Sequence, residues 1–134
     1  MNDAERLEEI DSLLDMLEGM KDTHIVLIEG NKDRRTLDAL GLEDIRTIEV
    51  QREGGPVRAA EKVSGEKRSA VILTDWDRRG DRLEKELIAQ LDALCIPYDT
   101  TIRTRLRDVC IKDIKDVESL DTLYARLDAI RQRL

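Results

Sequence analysis

Ser69-Ala70-Val71-Ile72-Leu73-Thr74, followed at once by Asp75-Trp76-Asp77-Arg78-Arg79-Gly80, is the stretch whose reading decides the fold. A short, unbroken apolar run is what a strand covered on both faces looks like. His24-Ile25-Val26-Leu27-Ile28 repeats the pattern and also ends in an acidic turn, Glu29-Gly30-Asn31-Lys32-Asp33. In open α/β sheets, ligands bind in the crevice beyond the carboxyl ends of such strands. Both acidic turns are therefore expected at one site. Carboxylates crowded there repel one another by on the order of a few kcal/mol per close pair. A divalent cation would relieve that repulsion.

Working outward, Ile45–Val50 reads as a second strand with Ile48 and Val50 inward, and Pro97-Tyr98-Asp99 as a short fourth. Between them the apolar period changes from two to about 3.6. Residues 4–20 form an amphipathic helix through Leu7, Ile10, Leu13, Leu14 and Leu17, with Asp3 as its expected N-cap. Asn31–Leu40 is a short helix stopped by Gly41. Another starts at Pro56 and breaks near Ser64-Gly65. Asp81–Leu94 forms the next, capped by Asp81. Residues 102–110 fit a helix better than a basic strand, and Ser119–Arg133 closes the chain behind Ser119 as N-cap. The order α-β-α-β-α-β-α-β-α-α predicts a mostly parallel four-stranded sheet with helices on both faces and extra helices at each end. One domain over residues 1–134 is expected, with an acidic N-terminal helix (1–22), an α/β core (23–100) and a helical extension (101–134).

Hydrophobic and charged residues each make up 40% of the chain, and the charged share is well above the roughly 25% usual for soluble domains. Phe is absent and there are one Trp and two Tyr, so the core must be aliphatic. Base stacking on aromatic platforms is disfavoured for the same reason. The net charge is −7, but residues 1–22 carry eight acids against two bases, a net of −6, which leaves −1 for all the rest. Local basic patches can then still meet phosphates, and the acidic helix offers a face to a basic protein partner. No apolar run is long enough to span a bilayer and no signal peptide opens the chain, so a cytoplasmic location is expected. Cys95 and Cys110 form no Cys-x-x-Cys pair and there is one His, which argues against zinc and for buried free thiols.

Within the crevice, Asp75 and Asp77 point to one side of an extended chain and Trp76 to the other. Gly80 permits a tight turn, and Gly30 permits close approach of a ligand to the backbone. Glu29 would face both aspartates. Asp33 reads equally well as a site carboxylate or as a helix N-cap. Lys32, Arg34, Arg35, Arg78, Arg79 and Arg82 flank the two turns, where substrate phosphates need neutralising, although such residues also make ordinary solvated faces. Gly54-Gly55-Pro56, after the second strand, is either a phosphate cradle at a helix N-terminus or a connector.

Glu29-Gly30-Asn31-Lys32-Asp33 after one strand and Asp75-Trp76-Asp77-Arg78-Arg79-Gly80 after a later one together resemble the Toprim domain over residues 22–100. That domain is shared by topoisomerases, bacterial primases, recombination proteins and ribosomal-RNA-maturing nucleases. The short chain is similar to the stand-alone, primase-like Toprim proteins of archaea and some bacteria. Lys115-Asp116-Val117-Glu118 resembles a late acidic motif of the RNA-maturing relatives, which brings in Glu118. The resemblance implies a Mg²⁺-dependent reaction on RNA or DNA, with Mn²⁺ as a substitute. It implies Glu29 as general acid or base, Asp75 and Asp77 as metal ligands, and Glu29 close enough to share the metal. No Tyr is placed for topoisomerase chemistry, and no zinc or template-binding module supports primer synthesis by this chain alone. A nuclease or related phosphotransferase is the leading expectation. A non-catalytic module that binds nucleic acid or a partner protein is the alternative. Aspartyl-phosphate chemistry is disfavoured by Trp76 and Arg78-Arg79.

Overall fold

In a computed structural model that describes residues 1–133, four parallel strands form one sheet in the order β2-β1-β3-β4. These are β1 (His24–Ile28), β2 (Thr47–Glu49), β3 (Ser69–Ile72) and β4 (Tyr98–Asp99). β1 pairs with β2 on one side and β3 on the other, and β4 adds to β3. The two strands with the longest apolar runs therefore lie side by side in the middle. Because successive strand residues face opposite ways, Ile25 and Leu27 of β1 join Ala70 and Ile72 of β3 in one core. That core is shared with α4 (Pro56–Glu66) and α5 (Arg78–Ala93). Val26, Ile28, Val71 and Leu73 enter the other core. It is closed by α1 (Asp3–Gly19), α2 (Asn31–Ala39), α6 (Thr101–Cys110) and α7 (Leu120–Gln132). Each fully buried aliphatic side chain contributes roughly 1.5–3 kcal/mol. Trp76 is the one aromatic residue buried among them.

Local chemistry moves several boundaries from their expected places. The N-cap of α1 is Asn2, whose side chain accepts from Glu5 N while Glu5 reaches back to Asn2 N, so Asp3 is the first helical residue. α5 begins at Arg78 because Asp77 is its cap, and Asp81 lies inside the helix. α4 runs through Ser64-Gly65 to Glu66 and stops at Lys67, whose φ is 55°. One glycine inside a helix costs only about 1 kcal/mol, and Ala59, Ala60 and Val63 anchor the inner face. A one-turn α3 (Val50–Glu53) follows directly on β2, so Val50 is buried from a helix and not from a strand. The Ser119 hydroxyl makes no cap bond for α7; Asp116 accepts from Ser119 N instead. Cys110 is buried as expected, but Cys95 is exposed in the turn after α5. No helix among the described residues is long and apolar enough to cross a membrane.

Candidate functional site

Glu29 follows β1 at the carboxyl edge of the sheet and is only 6% exposed. Its Oε2 accepts from Asp75 N at 2.8 Å, which pins the turn after β3 to the end of β1. Asp75 in turn accepts from Val117 N through Oδ1, also at 2.8 Å. Two further bonds tie the same turn to the segment between α6 and α7. Trp76 N donates to Lys115 O at 3.0 Å, and the indole Nε1 donates to Ile114 O at 2.7 Å. Buried Trp76 thus faces away from the crevice, as the alternation requires.

Asp33 joins the pair from α2. It is not an N-cap: it stands at the third helical position and accepts from Gly30 N at 3.0 Å through Oδ2. Burial, then the nearby charges of Glu29 and Glu118, push its proton affinity up to about 6. Asp75 is pushed up to about 8, first by burial and then by Glu29 and Asp33. Burial is the larger cause of both shifts, and the repulsion of crowded carboxylates expected from the sequence adds to it. Exposed Glu118 acts on Asp33 by charge, and its carbonyl accepts from Thr36 Oγ1 at 2.8 Å.

Asp77 has a different task from the expected one. Its Oδ1 accepts from Gly80 N at 2.7 Å and caps α5. Among the described residues, no three His, Cys, Asp or Glu side chains form a group arranged to hold a metal ion. The contacts bring Glu29 and Asp75 together with Asp33 nearby, while Asp77 gives its Oδ1 to the start of α5. The Gly80 backbone passes so near Asp75 that a Cβ would lie 1.9 Å from Asp75 O. Gly30 is crowded by Gln51 Oε1, 2.9 Å from where its Cβ would be, so a neighbouring side chain occupies the approach left for a ligand.

The flanking cations divide. Arg34 is consumed by the fold: it donates to Ile45 O, Leu42 O and Glu43 O and pairs with Asp38. Lys32, Arg78 and Arg79 are exposed and make no ion pair among the described residues. Arg79 and Arg82 reach a cavity of about 270 Å³ that Glu29, Gln51, Gly55 and Pro56 also line.

Gln51 and Arg103 are the residues that the sequence reading missed. Arg103 is 1% exposed and donates to Thr74 O at 2.9 Å and to Asp75 O. It also pairs with Asp81 at 2.7 Å and with Glu84 at 3.0 Å. Its signal was in the helix period. Arg103 lies three residues before Leu106 and seven before Cys110, on the face that α6 buries.

No family model matches the chain. A solved chain from Aquifex aeolicus shares the fold with a TM-score of 0.69 at 18% identity, over 81% of this chain and 95% of that one. A UPF0292 protein of Methanosarcina barkeri is 37% identical over 123 residues, which cover 91% of this chain and 85% of that protein. A UPF0292 protein of Thermococcus sibiricus is 31% identical over 128 residues, or 96% and 98% of the two chains. The chain belongs to the UPF0292 family.

Proposed function

We propose that this protein is a Mg²⁺-dependent enzyme that cuts or transfers phosphodiesters of RNA or DNA, with a Toprim-like core. The observation that carries the reading is the contact of Glu29 with the Asp75 turn at the carboxyl edge of a parallel sheet. Asp33 stands beside it and raises the proton affinity of Asp75. The donor set is made of hard oxygens. Mg²⁺ takes one or two carboxylates and fills its octahedron with water and substrate phosphate oxygens. A two-carboxylate site therefore fits it, where a closed cage would need ligands that are not gathered here. Glu29 and Asp75 would hold the ion through Oε1 and Oδ2, the oxygens that their main-chain hydrogen bonds leave over. Bound there, Mg²⁺ would polarise a phosphodiester and neutralise charge growing on the leaving oxygen.

The remaining chemistry belongs to the chain. A carboxyl group whose proton affinity lies near neutral pH can give or take a proton in a transition state. Asp33, which is not among the groups that would hold the ion, is moved towards that range. The test is cleavage of end-labelled single- and double-stranded RNA and DNA with Mg²⁺ or Mn²⁺. Glu29→Gln and Asp75→Asn are each expected to lower the rate by about a hundredfold or more. No cleavage by the wild type, or wild-type rates for both variants, would overturn the proposal.

One observation favours a second reading. Glu29 and Asp75 each spend one oxygen on a main-chain N–H, so they also staple the β1, β3 and residue 114–117 segments together. In a non-catalytic binding module, stabilising the fold would be their whole role. The two variants would then lose thermal stability, and Mg²⁺ would raise the stability of the wild type without any turnover.

A further inference from the structure

Ion pairs are plentiful in this chain, and their distribution is uneven. Arg6, Arg34, Arg46, Arg103, Arg105, Arg107, Arg126 and Arg131 each pair with a carboxylate. Arg35, Arg52, Arg58, Arg78, Arg79 and Arg82 pair with none among the described residues, and all six are exposed. Those six lie on the three segments that leave the carboxyl ends of β1, β2 and β3. Of the other arginines, Arg68 and Arg133 make no ion pair among the described residues.

Two of these arginines share the 270 Å³ cavity beside Glu29. Gly55 and Pro56, at the start of the eleven-residue α4, line the same cavity. Gly54 and Gly55, with φ of 94° and 127°, turn the chain into that helix. The Gly55 N–H donates to Val50 O at 3.0 Å and Pro56 has none, so the groups that the cavity offers an anion are the two guanidinium groups. Glu29 and Glu86 also line the cavity and oppose a bare anion there. A phosphate that belongs to a chain already held at Glu29 overcomes that opposition, because the second contact is intramolecular.

We propose that this cavity binds a backbone phosphate of the nucleic-acid strand next to the phosphodiester at Glu29, so that the substrate is a polymer and not a mononucleotide. The assignment rests on the reading of Glu29 and Asp75 given above, yet binding can be measured without turnover. The probe is a fluorescein-labelled single-stranded oligonucleotide, titrated over a range of salt with Ca²⁺, a hard cation for the same oxygen ligands, in place of Mg²⁺ and read by anisotropy. For Arg79→Gln and Arg82→Gln, the slope of log affinity against log salt is expected to fall by about 0.7 for each phosphate contact removed. The double variant should lose both contacts. Lys112→Gln, which removes another unpaired cation away from the cavity, should match the wild type. Thermal melts establish that each variant is folded. A double variant with wild-type affinity and slope, an equal loss in Lys112→Gln, or no binding by the wild type would overturn the subsite. Binding that depends on both arginines, without cleavage in Mg²⁺, would support the subsite and remove the nuclease reading.

Discussion

Gly80 owes its place to a neighbour and not to its own dihedral angles. Its φ is not in the left-handed region, so alanine would suit the backbone. The obstacle is Asp75 O, 1.9 Å from the position of a Cβ. Gly80→Ala must therefore push apart the turn that carries Asp75 and the first turn of α5. Overpacking of this kind costs about 1–3 kcal/mol, and we expect a loss in that range in urea denaturation. Thr74 Oγ1, which donates to Gly80 O at 2.9 Å, would be displaced with it. An unchanged midpoint would show that the turn has slack that the contact distances do not suggest.

Between elements, the decisive side chain is Arg103, which joins α6 to the β3 edge and to α5. Its guanidinium satisfies two carbonyls and faces Asp81 and Glu84, while Glu84 Oε2 is buried without a hydrogen-bond partner. Arg103→Met fills similar volume and leaves a carboxylate with no counter-charge. Breaking a buried pair from one side costs about 3–5 kcal/mol. The exposed Asp81 softens this, so about 3 kcal/mol is expected in urea denaturation, with a part recovered in Arg103→Met/Glu84→Gln. No recovery in the double variant would place the loss in the two carbonyl contacts instead.

The same elements mark how far sequence carries. Strands β1 and β3 were legible because Ile25–Ile28 and Ala70–Leu73 are apolar at every position, which only double-sided burial explains. The α6 helix was legible from Ile102, Leu106 and Cys110. The meeting of Glu29 with the Asp75 turn followed from adjacency of these strands. The task of Asp77 did not, because an aspartate before a helix and an aspartate in a ligand set have the same local sequence; a hydrogen bond to Gly80 N decides between them. Arg34 likewise looked available until the 42–45 turn folded back on it. Contacts that depend on main-chain atoms distant in sequence leave no trace in residue type.

Across the whole molecule, Asp33 and Asp75 make stability depend on pH in an uncommon direction. Unfolded aspartates titrate near about 4. In the fold the two carboxyls keep their protons to about 6 and about 8. Between about 4 and about 8 the folded chain therefore binds more protons than the unfolded one, and these groups lower stability as pH rises through that window. Above it their effect is constant. A cation at Glu29 and Asp75 replaces the protons, so the rise in Tm with millimolar Mg²⁺ should be larger at pH about 8.5 than at about 5.5. Calorimetry at the two pH values checks this; equal shifts would separate the cation from these carboxylates. Asp113 acts in the ordinary direction. Arg126 and Arg6 hold its carboxyl below the usual range, and the stability this gives is lost only in acid.

The segment between α6 and α7 makes its hydrogen bonds to the Asp75 turn through peptide groups: Ile114 O, Lys115 O and Val117 N. Peptide groups are the same in every residue except for the missing N–H of proline. The exposed side chains of Ile111, Lys112 and Lys115 are thus free to vary, while the count of residues spanning the gap is held fixed. A single deletion between 111 and 116 would slide those partners out of step and release Asp75 from its anchor, where a string of point changes would leave it seated.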